Sequence, residues 1–116
     1  MVAAQHRWTE DDDVVAFYLS RHGTRRLPLM EAGIAKHLGV LESSLARRRA
    51  NFAHLDGRPG LPHAAKLSQR IHQQYVSATE AELRPLVLRV LGQAKITAVA
   101  MSFAFAMVGV VDGSGG

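Results

Sequence analysis

The chain of 116 residues contains no cysteine. That excludes disulfides and the Cys-containing zinc sites on which many small nucleic-acid-binding modules depend. A single domain of this length can be stabilised by its core without such staples, with little to spare. The opening residues, "MVAAQHRW", lack the apolar run of a secretory signal, so a cytoplasmic location is the expectation. No internal repeat is present. The longest uncharged stretch, Ile96 to Val111, would span about 24 Å as a helix, short of the ~30 Å hydrocarbon core of a bilayer. A membrane anchor is therefore not expected.

Acidic residues are scarce through the middle of the chain. Residues 21–76 carry ten Lys/Arg against Glu31, Glu42 and Asp56, a net +7, and five histidines besides. Residues 1–20 carry Arg7 against Glu10, Asp11, Asp12 and Asp13, a net −3. Residues 77–116 balance three of each sign. A basic middle of this kind points to an anionic partner, most commonly nucleic acid.

The spacing of apolar residues is helical over most of the chain. "WTEDDDVVAFYLSRHG" predicts a first helix with Thr9 as N-cap and Asp12 three residues on. Its acidic run, Glu10 to Asp13, suits the positive end of the helix dipole, and Gly23 can end it. "LPLMEAGIAKHLG" predicts a second helix over 29–38, with Gly39 as its C-terminal stop. "VLESSLARRRANFAHLDG" predicts a third over 42–55. The sequence "DGRPGLP" must be a loop. "AAKLSQRIHQQYV" predicts a supporting helix within 63–76. "SATEAELRPLVLRVLGQAK" holds a capping box, Thr79 with Glu82, and predicts a helix that begins or bends near Pro85. Residues 96–111 fit either period; their alanines favour helix over strand.

A helix, a short turn and a longer basic helix in succession form the outline of a helix-turn-helix. On the third helix Leu41, Leu45, Phe52 and Leu55 share one side, and Arg48 and Arg49 fall within that apolar arc. Ser43, Arg47 and His54 point away from it, with Ser44 and Asn51 on a flank. Arg47 is thus free to meet a partner, while Arg48 and Arg49 must send their heads past the edge of the core. Arginine on such a helix can fork onto guanine or phosphate, and asparagine can pair with adenine.

The segments "WTEDDDVVAFYL", "IAKHLGV" and "SSLARRRANFAHLD", followed by "GL" and "AAKLSQRIHQQY", resemble the helical module that precedes the nuclease domain in bacterial HNH endonucleases. The resemblance covers about residues 8–76 and implies DNA binding. It departs at Arg49, where the module is usually apolar, and nothing after residue 76 is similar to the nuclease. An HNH site needs a general-base histidine and metal ligands on a ββα element. No histidine, asparagine or cysteine follows residue 73, and His54, His63 and His72 lack the i,i+4 pairing that would hold a metal. Catalysis is not expected, nor is a cofactor. "DGRPG" matches a KH-type loop and an AT-hook only in part: the KH sheet is missing, and Asp56 replaces an arginine of the hook.

The expected fold is all-α. Residues 1–76 would form a helix-turn-helix domain, residues 77–111 an apolar packing or dimerisation segment, and 112–116 a flexible tail. The expected function is non-catalytic binding of double-stranded DNA by a homodimer, as a small transcriptional or mobile-element regulator. Ser43, Ser44, Arg47, Arg48 and Asn51 would face the groove, with Arg25, Arg26, Lys36 and Arg58 on phosphates. The competing expectation is a protein-interaction or scaffold module whose basic face takes an acidic partner.

Overall fold

Residues 6–92 are described by a computed structural model, and they are all-α. The order is α1 (Glu10–His22), α2 (Glu31–Leu38), α3 (Glu42–Leu55), α4 (Lys66–Tyr75) and α5 (Glu80–Val90). The expected capping box forms on α5, Thr79 with Glu82, and the expected N-cap Thr9 makes a second one with Asp12 on α1. Each ties down two amides that the first turn of a helix leaves unpaired. Gly39 ends α2 in the left-handed region, at φ 78°, and so turns the chain directly into α3.

The central element is α1. Every residue from Asp12 to Leu19 is buried, so the helix is enclosed on all sides and not merely on one stripe. It packs against α3, α4 and α5. Three residues one turn apart on α1 meet both parallel neighbours in register. Asp13 bonds Arg48 of α3 and Ser68 of α4. Phe17 lies edge-on to Phe52 and to His72. Arg21 holds Asp56 at the end of α3 and the carbonyl of Val76 at the end of α4. Each step up α1 is matched by one turn on α3 and one on α4, so the three helices run in the same direction. On the far side, Leu83, Val87 and Leu91 recur at four-residue intervals and complete the same core.

The first part of the expected 77–111 packing segment is α5 and the turn after it, packed on α1. The remainder, Ile96 to Val111, together with the expected dimer contact and the tail at 112–116, lies outside the described residues. Small corrections concern helix starts. Met30 is extended and caps α2, which therefore begins at Glu31. His63 has φ 66° and Ala65 is extended, so α4 begins at Lys66. Pro85 sits inside α5, not at its start. It is exposed there, and its lack of an N–H leaves only the Ala81 carbonyl without its helical donor. Leu41, expected in the core, is 72% exposed as the residue capping α3. No helix of the described residues is long and apolar enough to cross a membrane.

Because α3 and α4 are parallel, the chain must return along α3 before α4 can start. The loop at 57–65 does this, strapped to α3 as it goes. The Arg58 amide bonds the Ala53 carbonyl, the Leu61 amide bonds the Ala50 carbonyl, and the Asn51 side chain donates to the carbonyls of Leu61 and Pro62. Gly60 is the point of closest approach: a Cβ there would stand 2.3 Å from the Ala50 carbonyl oxygen and 2.8 Å from the His54 nitrogen. Both obstacles are backbone. Gly60→Ala is expected to push the strap off α3 and cost about 1–3 kcal/mol, measured as a fall in the urea midpoint at constant slope.

Candidate nucleic-acid interface

The three adjacent arginines of α3 diverge, since successive residues on a helix point about 100° apart. Arg47 is exposed and has no ion-pair or hydrogen-bond partner among the described residues. Arg48 turns inward. Its Nε and Nη2 donate to Asp13 at 2.6 and 2.9 Å, and Asp13 is fully buried. The Ser68 hydroxyl gives Asp13 a third bond at 2.9 Å, and the Trp8 ring covers the guanidinium at 4.5 Å. Arg49 bridges outward to Glu31 of α2 and to the Leu19 carbonyl of α1. The expectation for the inner two arginines therefore changes for Arg48. Arg48 does not send its head past the core edge, because a buried carboxylate needs a buried cation. Arg49 does reach past the core edge, and there it links α3 to α1 and α2.

The outer face of α3 carries Ser43, Arg47 and His54, all exposed, with Ser44 half-buried beside them. Asn51, expected to read a base, spends its amide on the strap. Lys36 is exposed on the last turn of α2, without an ion-pair partner among the described residues. Arg58 is partly committed to Ser20 and Asp56, although its side chain remains 45% exposed. It borders a shallow depression of about 220 Å³ over Ala46, Ala50 and Ala53, with Arg49 and Ser20 on its rim.

Arg25 and Arg26 do not join this surface. They lie beyond the end of α1 on the side facing α5, in a cleft with Tyr18, Arg21, His22 and Glu80. Sequence reasoning found these two cations but not their setting, and it passed over Tyr18, His22 and Glu80. There the Tyr18 hydroxyl donates to Glu80 at 2.6 Å. Burial and that bond push the phenol up to about 12, and the same bond, with Arg84, holds the Glu80 carboxyl below the usual range. Burial also lowers His22 from its ordinary value, with Arg21 acting the same way and Glu80 opposing. Lys66, an exposed cation at the start of α4, was likewise not singled out, and nothing in its local sequence marks it.

At this same end of α1 the charges are the reverse of those in the Asp13–Arg48 pair. Arg21 forks onto Asp56 at 3.0 and 2.8 Å and covers the Phe17 ring at 4.4 Å. His72 and Arg58 add further bonds to Asp56. Those bonds, Arg21 first, hold its carboxyl far below the ordinary 3.8. Among the described residues no group of three or more His, Asp or Glu could hold a metal ion. No family model, curated protein or solved structure matches this chain.

Two outcomes follow from the paired charges. Arg48→Met should cost about 3–5 kcal/mol, because it strands Asp13 in the core, whereas the double variant Asp13→Leu/Arg48→Met should recover most of the loss. Chemical denaturation of the two singles and the double completes the cycle, and equal losses in all three would contradict the account. The Asp56 pKa is depressed on folding, so its contribution is fully present above the unfolded value near 3.8 and is lost as pH falls through the folded one. Urea midpoints measured from pH 7 downward should drop below about pH 4, and Asp56→Asn should flatten that drop.

Proposed function

We propose that the protein binds double-stranded DNA without catalysis, through the outer face of α3. The observation that carries this reading is the fate of the triplet. Two of its arginines are spent inside the fold, while Arg47 stands exposed between Ser43 and His54 on the second helix of a helix–turn–helix succession. The resemblance of residues 8–76 to the module that precedes HNH nucleases points the same way. Arg47 is the residue for a base edge or phosphate. Lys36, Lys66 and the exposed part of Arg58 supply further phosphate contacts, while Arg48 holds the helix from behind and Asn51 holds the strap at its flank. Action as a small transcriptional or mobile-element regulator is part of the same proposal. So is pairing of two copies through residues 96–111, which rests on the apolar sequence alone.

Internal pairing reduces the number of free cations below what the net +7 of the middle segment implies. About four phosphate contacts give a slope of log K against log salt near −3.5, shallower than six would give. Arg47→Ala should weaken duplex binding by about 1–3 kcal/mol. Arg70→Ala removes the same charge from α4, where Arg70 forms a surface pair with Glu10 of α1, and should leave binding almost unchanged. Fluorescence anisotropy over a salt series, with polyglutamate as a competing polyanion, reads all three. Equal binding of both anions with no effect of Arg47→Ala would favour the other class of function, a basic module for an acidic protein partner.

A further inference from the structure

We propose that the cleft between the end of α1 and the start of α5 is a binding site for a small phosphate-type dianion, with Arg25 and Arg26 as its clamps. The cleft encloses about 420 Å³ between Tyr18, Arg21, His22, Arg25, Arg26 and Glu80. That volume lies within the range of small-ligand sites. It shares no lining residue with the depression beside α3. Tyr18 and Ser20, which border the two, are two positions apart on α1 and so point to nearly opposite sides. The site is therefore separate from the proposed duplex contact.

The charges around the cleft do not cancel. Arg21 is saturated by Asp56 and the Val76 carbonyl. Glu80 accepts from the Tyr18 hydroxyl and, at 2.9 Å on each oxygen, from Arg84, so its charge is answered from outside the cleft. Arg26 stands 3.9 Å from Glu80, too far for a hydrogen bond, and Arg25 has no carboxylate partner among the described residues. Two guanidinium charges remain. A carboxylate would neutralise one of them; a phosphate dianion matches both, and its oxygens suit the planar fork of arginine.

A polar group inside the cleft wall is also unanswered. The Nε2 atom of His22 is buried without a hydrogen-bond partner among the described residues. The ring lines the cleft while that atom lies beneath its surface, so a phosphate oxygen becomes its partner only if the ring turns toward the arginines. Tyr18, whose ring centroid lies 5.0 Å from that of His22, cannot serve, because its hydroxyl is committed to Glu80.

The test is a titration of the full chain with inorganic phosphate and, separately, with phenyl phosphate. Ionic strength is held constant with sodium chloride, and the His22 ring and arginine side-chain resonances are followed by NMR. Saturable shifts confined to His22, Arg25 and Arg26 are expected. The double variant Arg25→Ala/Arg26→Ala should weaken binding at least about tenfold, a loss of about 1.4 kcal/mol. Both arginines are exposed, so its melting temperature should hold. Tighter binding of phenyl phosphate assigns the site to phosphomonoesters, and equal or weaker binding assigns it to free phosphate. Shifts that never saturate, that chloride reproduces, or that survive the double variant overturn the proposal. Duplex binding is read separately through Arg47→Ala, so either idea can fail alone.

Discussion

A carboxylate with no access to water sits at the centre of this fold. Asp13 is fully buried on a helix that is itself enclosed, and its charge is tolerable only because Arg48 forks onto it and Ser68 adds a third donor. Those partners come from two other helices, so satisfying one side chain fixes the rotation and height of three elements at once. The same three helices are pinned again two turns later by Arg21 and Asp56, with the charges reversed. Between the two pins lies an apolar rung, Phe17 with Phe52 and His72. A shift of one helix past another by a turn would bring Asp13 and Arg21 opposite unsuitable partners at both ends, which selects one register among the several that apolar packing alone would accept.

Local chemistry made much of the helical order readable. The bounds of α3, the two capping boxes and the glycine stops of α1 and α2 depend on residues within a few positions of each other. The core of α3 followed from its wheel through Leu45 and Phe52. What escaped depends on distant pairs. Asp13 reads as one of four carboxylates suited to a helix start, and only its position one turn before Phe17 sets it apart. Arg48 stands in the same relation to Phe52. Each is a polar residue on an apolar arc, and the two have opposite charge; that coincidence was the available signal. The parallel course of α3 and α4, and with it the strap, had no local signature beyond the glycines and prolines of the loop.

The candidate site was legible to the extent that it depends on helical phase. Ser43, Arg47 and His54 face outward as the wheel requires. It was illegible where a side chain had a choice of partners. Arg48, Asn51 and Arg58 have the chemistry for nucleic acid, and all three are engaged within the protein by groups far away in sequence. Arg25 and Arg26 are adjacent to each other, yet their surroundings are set by where α5 docks. Net charge counted along the chain therefore overstates what the surface offers, since a large share of the basic side chains is answered from within.

On the proposed reading, the strap has a geometric consequence for the groove that α3 enters. It crosses the helix over Ala50 and Ala53 and beside the backbone of His54, which leaves the length from Glu42 to about Arg49 clear of it, with the exposed His54 side chain past its edge. Eight residues of helix are about 12 Å long, and bases along one strand are ~3.4 Å apart. One copy could then address only three or four base pairs, a word short enough to recur every hundred or so positions in random sequence. A unique genomic address would have to be assembled from several such words, spaced by whatever holds the copies together.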